Sequence, residues 1–291
     1  MALADLLTFA IAQPTGDRPR DDELDFFGLT HPGKVRKQNQ DHFLVCTIHP
    51  QAVVHGTSLP DVENLPLRGD RLATVLLVAD GVGSGAGGEA SVLAARTITG
   101  YVTTTLRCYH TAGSSSDELF YEALTEAALE AHSAVLAQAQ GEKMATTLTL
   151  GVAVWPWLYT VQVGDSRCYV WTEKKGLQQV TRDQTVAQDL VDRGALPRDS
   201  LPKSPLSHVL ASAIGGHEAK PVVSRTEIPR GCVVLLCSDG LTKHLSNKEI
   251  EQHVGNDQTS EQLCRSLLDT ALDRGGSDNI TVLVARARRQ S

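Results

Sequence analysis

The sequence predicts an α+β layered sandwich, two packed and mostly antiparallel sheets with helices outside (α/β/β/α). Three observations lead there. About nine runs of strand length are rich in β-branched residues and leucine. The helical periodicities fall in separate blocks, two long ones after the third strand and one before the last, so strands and helices do not alternate as in a parallel βαβ fold. Aromatic residues make up only 4% against 41% apolar, so the cores between these layers must be aliphatic.

Residues 1–25 read as an N-terminal extension, poorly ordered, because 14–23 is polar, charged and proline-bearing. A domain is expected over 26–287. Residues 28–35 are a near-miss to a phosphate-binding loop. Val35 stands where a hydroxyl would be needed and Pro32 removes a backbone donor, so a turn between strands fits better. A polar turn, Arg36 to Asp41, leads into a strand at 42–46, and residues 47–72 form an inserted loop without periodicity.

An apolar run at 75–79 ends on Asp80-Gly81 and a glycine-rich turn. Two amphipathic helices follow. The first carries Val92, Ala95, Ile98, Val102 and Leu106 on one face. The second starts at a Ser115/Glu118 capping box and carries Phe120, Leu124, Ala127, Ala131 and Val135. Strands at 146–155, 158–163 and 167–171 read as a meander, with Asp165 at a hairpin tip. Residues 182–206 are irregular and polar around a short helix to Arg193, and read as a flap. A second apolar run, 233–237, ends in Ser238-Asp239-Gly240. The last helix opens at a Thr259/Gln262 box, buries Leu263, Leu267 and Ala271, and stops at Gly275-Gly276. Asp278-Asn279 then precedes the final strand, 280–285.

A net charge of −7 argues against binding nucleic acid through a basic patch. The six cysteines contain no Cys-x-x-Cys pair and four lie in or beside strand-like runs, which predicts buried free thiols rather than zinc ligands or disulfides. No run of 18 apolar residues and no basic leader occur, so a cytoplasmic protein without membrane contact is expected.

Asp80 and Asp239 end apolar runs, and Asp278 begins one. If the last strand is antiparallel to the other two, three carboxylates meet at one sheet edge. Such a group repels itself and invites Mg²⁺ or Mn²⁺, which prefer oxygen ligands.

Five blocks in order now carry a resemblance: Gly33-x-x-Arg36-x-x-Asn39-Gln40-Asp41; 78–83 through 87–91; Val163-Gly164-Asp165-Ser166-Arg167; Cys237-Ser238-Asp239-Gly240-Leu241; and Asp278-Asn279-Ile280-Thr281. The chain resembles the metal-dependent Ser/Thr protein phosphatases (PPM, type 2C) in their bacterial form, from about residue 26 to 287. The resemblance implies that Asp80 bridges two Mn²⁺ or Mg²⁺ ions. The Gly81 carbonyl would bind the first ion, and Asp239 and Asp278 the second. Asp165 with Asp239 would form a third ion site. Asp41 would reach the metals through water, and Arg36 would hold the substrate phosphoryl group. It further implies direct attack of a metal-activated water on phosphoserine or phosphothreonine, in protein substrates of a Ser/Thr kinase. The sequence departs from the usual bacterial Asp-Gly-Met-Gly-Gly-His at 80–85, so the family's suspected proton-donating histidine is missing, and Gln184 replaces a histidine common at the flap entrance.

Neither a Cys-x5-Arg loop nor an Asp-x-Asp pair occurs, which removes phosphoenzyme routes. Three readings stand: an active phosphoprotein phosphatase, a phosphoprotein-binding relative with little or no turnover, and an unrelated Mg²⁺-dependent hydrolase such as a nuclease.

Overall fold

The computed structural model describes residues 18–51, 53–54, 67–83, 85–111, 117–256 and 258–287, without the side chains of 106–111, 202 and 203. Residues 1–17 of the expected extension, half of the inserted loop (52 and 55–66), Ser84 and Ser115, and the side chains of Leu106 and Cys108, lie outside it.

The strands are β1 (Leu24–His31), β2 (Asp41–Ile48), β3 (Ala73–Val82), β4 (Ala145–Thr146), β5 (Leu148–Val154), β6 (Trp157–Val163), β7 (Arg167–Thr172), β8 (Gly176–Gln179), β9 (Val222–Glu227), β10 (Val233–Cys237) and β11 (Ile280–Ala287). The helices are α1 (Gly87–Thr111), α2 (Asp117–Ala139), α3 (Val186–Asp192), α4 (Asp239–Thr242), α5 (Asn247–Val254) and α6 (Ser260–Asp273). One sheet has the order β1-β11-β10-β7-β8. The other has β2-β3-β5-β6-β9, with the short β4 beside β3, and every pairing is antiparallel.

Three aliphatic cores give the four layers. Leu76, Val78, Leu158, Cys168, Leu236 and Leu283 fill the space between the sheets. The opposite face of β3, β5 and β6 packs under α1 and α2 through residues such as Leu77, Ile98, Phe120 and Leu150. Leu235, Val284, Leu263 and Leu267 join the other sheet to α5 and α6. Strands buried on both faces explain the near-continuous apolar runs.

The α2 stripe is buried as expected, and so are Leu263, Leu267 and Ala271 of α6, whose Thr259/Gln262 capping box forms. The α1 stripe is displaced. Ala90, Ala94, Ile98 and Val102 are buried, whereas Val92 and Ala95 are half-covered. Alanines at 90 and 94 let the start of the helix lie close to β3. The expected long strand at 146–155 breaks at Thr147 into β4 and β5. Cysteines 168, 232, 237 and 264 are buried free thiols, and Cys46 is half-buried.

Two topological expectations are corrected. β6 and β7 belong to different sheets, so Gly164-Asp165-Ser166 is a crossover between sheets and not a hairpin tip. β3 also lies in a different sheet from β10 and β11, so Asp80 meets Asp239 and Asp278 across the end of the sandwich, not along one sheet edge. Among the described residues no helix is long and apolar enough to cross a membrane.

Candidate metal centre

The centre forms where β3 and β10 end and β11 begins. β2 and β3 pair Asp41 directly with Asp80. Thr146 and Thr147 fix the Asp80 backbone: the Thr147 hydroxyl accepts from its N–H at 3.0 Å, and the Thr146 hydroxyl donates to its carbonyl at 2.9 Å. Gly81 follows, packed so closely that a Cβ there would strike the Gly87 backbone at the start of α1. Asp239 opens α4, and a Cβ at Gly240 would strike the Asn279 carbonyl, so β10 and β11 can join this tightly only with glycine there.

Asn279 holds the loop bearing Arg36. It accepts from the Gln40 N–H at 2.9 Å and donates to the carbonyls of Pro32 at 3.0 Å and Gln38 at 2.9 Å. Gly33 takes φ +79° against the backbone of Gly276 and Asp278. Arg36 emerges with its fork on Asp278, Nε to Oδ1 at 2.7 Å and Nη2 to Oδ2 at 2.9 Å. Thr281 donates to Asp41 Oδ2 at 2.7 Å. Asp41 is 2% exposed, and among the described residues its Oδ1 has no hydrogen-bond partner.

Arg36, Asp80, Gly81, Asp165, Asp239, Lys243, His208 and Asp278 line one cleft of about 330 Å³. Asp41 sits beneath it, hydrogen-bonded to Thr281 behind the Asp80 pair. A hollow of about 910 Å³ beside Trp171, Gln258 and Arg286 is larger, but volume does not mark the site; the concentration of acid does.

Burial, then Asp41, Asp239 and Asp165, pushes the Asp80 carboxyl well above the usual carboxylate range. Burial pushes Asp41 up to about 6, the Ser238 and Thr281 hydroxyls offsetting part of the rise. Burial, then Asp239 and Asp183, pushes Asp165 up to about 8, with Lys243 opposing. Burial would also raise Asp278, but hydrogen bonds from Arg36 and Lys243 hold it at about 2. Burial disfavours the Lys243 ammonium, yet Asp239 and Asp278 raise it above its ordinary value.

This donor set fits a hard divalent cation. It is all oxygen, carries surplus negative charge, and keeps one buried carboxylate oxygen without a protein partner among the described residues. Among the described residues, however, no three His, Cys, Asp or Glu side chains already converge as metal ligands. Asp239 and Asp278 are drawn instead onto Lys243 Nζ, at 2.6 and 2.7 Å.

The structure thus brings together Asp80, Gly81, Asp165, Asp239, Asp278 and Arg36, with Asp41 behind them. Sequence reasoning did not assign Thr146, Thr147, Thr281, Asn279, Lys243 or His208. The Asp278-Asn279-Ile280-Thr281 block was visible, but not the contacts its Asn and Thr make. Gln184, read as a departure at the flap, is 6% exposed; it accepts from the Gly164 N–H at 2.9 Å and so steadies the Asp165 crossover.

Fold and site together define a four-layer α/β/β/α sandwich with a carboxylate centre at one end. Residues 66–280 match the family described as protein phosphatase 2C, and the chain belongs to that family. It is 34% identical over 220 residues to the serine/threonine protein phosphatase PstP of Mycobacterium tuberculosis, which covers 73% of this chain but only 40% of PstP. It is 27% identical to the serine/threonine phosphatase stp of Listeria monocytogenes, covering 88% of this chain and 92% of that one. The crystal structure of M. tuberculosis PstP/Ppp superposes with a TM-score of 0.70 at 28% identity, over 91% of this chain and 99% of that one. The PstP catalytic domain in complex with two manganese ions superposes at 0.68, with 27% identity, over 91% and 99%.

Proposed function

We propose that this chain is a metal-dependent protein serine/threonine phosphatase that hydrolyses phosphoserine and phosphothreonine directly, without a phosphoenzyme. The observation that carries the reading is the surplus of aspartates, facing Arg36 across one cleft, in a member of this family. Asp80, the Gly81 carbonyl, Asp239 and Asp278 would hold two Mn²⁺ or Mg²⁺ ions, with Asp165 and Asp239 available to a third. When bound, such ions supply Lewis acidity toward a water and neutralise phosphoryl charge.

The chain's own residues do the rest. Arg36 presents a planar fork suited to two phosphoryl oxygens, and Asp278 orients it. Asp41 Oδ1, without a hydrogen-bond partner among the described residues, would accept a hydrogen bond from the water and aim it. His208 lines the cleft from the stretch after the flap, and we assign it the proton given to the leaving serine or threonine oxygen. His208→Gln should therefore slow a phosphoserine peptide more than an aryl phosphate, whose leaving group needs no proton. Equal slowing would remove that role.

The test of the whole reading is turnover of an aryl phosphate and a phosphoserine peptide with Mn²⁺, with excess chelator, and beside a phosphodiester. Monoester turnover that stops with chelator is expected. Full turnover in chelator would end the metal-dependent reading. Phosphopeptide binding without turnover would make the chain a binding relative, and preference for the diester a different hydrolase.

A further inference from the structure

Lys243 stands where the second cation of that reading would be held. It lies one helical turn after Asp239, its N–H bonded to the Asp239 carbonyl at 2.8 Å, so its side chain returns over that carboxylate. The ammonium bridges Asp239, at the start of α4, and Asp278, just before β11, at 2.6 and 2.7 Å. The side chain is 21% exposed, so this is no solvated lysine meeting its partners in passing. Arg36 forks onto the same carboxylate, its Nε on Oδ1 and its Nη2 on the Oδ2 that Lys243 also holds. Lys243 also lines the adjoining cavity of about 280 Å³ with Asp165, Arg167 and Asp183; Arg167 already pairs with Asp183 at 2.7 Å, which leaves Asp165 as the further acid beside the ammonium there.

We propose that Lys243 is a tethered competitor for the second cation. Its ammonium neutralises the Asp239–Asp278 pair and has to leave it before that pair takes a divalent ion. The physical reason is simple. A compact ammonium satisfies the same two carboxylates as a metal ion does, and a divalent ion beside it repels it twice as strongly as a single charge would. Among the described residues Asp80 has no such lysine contact, so on this reading the first ion meets no lysine competitor there. The pair therefore remains closed, and charge-balanced, when divalent ions are scarce, and it opens as their concentration rises. This inference rests on the two-ion reading above.

The experiment is calorimetric titration of metal-stripped protein with Mn²⁺, for wild type, Lys243→Met and Lys243→Arg, with thermal melts in chelator and in saturating Mn²⁺. Wild type is expected to show a tighter and a weaker site. Lys243→Met should tighten the weaker one by about tenfold or more, while Lys243→Arg should not. In chelator Lys243→Met should melt below wild type, because Asp239 and Asp278 lose their shared counter-charge. In Mn²⁺ it should recover to wild type or above. A lysine with a merely structural role would lower both melts alike, and unchanged affinities with such a parallel drop would overturn the proposal. Absence of Mn²⁺ binding in all three proteins would instead end the two-ion reading, and this inference with it.

Discussion

The two ends of the sandwich treat their acids in opposite ways. At the end where β1 begins and β11 finishes, Asp21 and Glu23 lie among arginines. Arg71, 7% exposed, hydrogen-bonds Asp21 and donates to the Pro19 carbonyl at 2.7 Å, and Arg68 approaches Asp21 at 3.9 Å. Glu23 pairs with Arg230 at 3.1 Å and with Arg20 at 3.9 Å. With Asp22, 3.3 Å from Arg20, three acids there meet four arginines. At the other end, among the described residues, Asp41, Asp80, Asp165, Asp239 and Asp278 face Arg36 and Lys243, while the nearby Arg167 is taken up by Asp183. A matched cluster needs nothing further and can fasten residues 18–24 to the domain. An unmatched one holds its carboxyls against their own repulsion, which is useful only if a ligand brings positive charge.

That contrast is broken most directly by neutralising one acid at the centre. Asp239→Asn should lower kcat/KM by more than about 100-fold, beyond what loss of an outer partner costs, and Asp165→Asn by about tenfold. On the proposed reading Asp239 would serve both the core pair and the third site, whereas Asp165 would serve the third alone. Steady-state kinetics on folded variants checks this, and equal losses would contradict the division of roles.

The matched end should answer in stability and not in turnover. Arg71→Ala removes a buried donor and leaves the Pro19 carbonyl unpaired, at a cost of about 2 kcal/mol by denaturant unfolding, with kcat/KM unchanged. A loss of activity at full stability would show that the two ends are coupled.

Arg36 sharpens the comparison, because it is the centre's matched residue. Arg36→Lys keeps the charge but not the fork, so kcat/KM should fall by about tenfold. The contact with Asp278 adds that Mn²⁺ affinity should shift as well, which calorimetry on the same variant reads. Wild-type kinetics in Arg36→Lys would sink the phosphoryl role.

The smallest effect is on metal-free stability against pH. Asp41 at about 6 and Asp165 at about 8 lie above the ordinary 3.8, so the folded protein binds protons that the unfolded chain has lost. The stability this supplies is complete below about pH 3.8 and disappears as pH rises through 6 and 8. Melting in chelator should therefore fall by a few degrees between pH 5 and 8.5, and saturating Mn²⁺ should remove the trend. A rise over that window without metal would show that the acids are not crowded.

Local chemistry made much of this legible in the chain. An apolar run that stops on Asp-Gly marks a strand end with a carboxylate at its tip, and a Thr/Gln box marks a helix start. Those signals act within a few residues, so Asp80, Asp239, Asp278 and α6 could be read without coordinates. α5 likewise opens at a Ser246/Glu249 capping box, a signal equally local to the chain. Which sheet each strand joins was decided elsewhere. β6 and β7 are separated by three residues yet lie in different layers, because the inward faces of both sheets must be covered by one shared core. The contacts of Asn279 and Thr281 likewise join distant segments, Thr281 on Asp41 and Asn279 on Gln40. No periodicity encodes such contacts. Lys243 is intermediate: its turn over Asp239 follows from helical spacing, but its bridge to Asp278 exists only because β10 and β11 pair antiparallel and bring the end of one strand beside the start of the other.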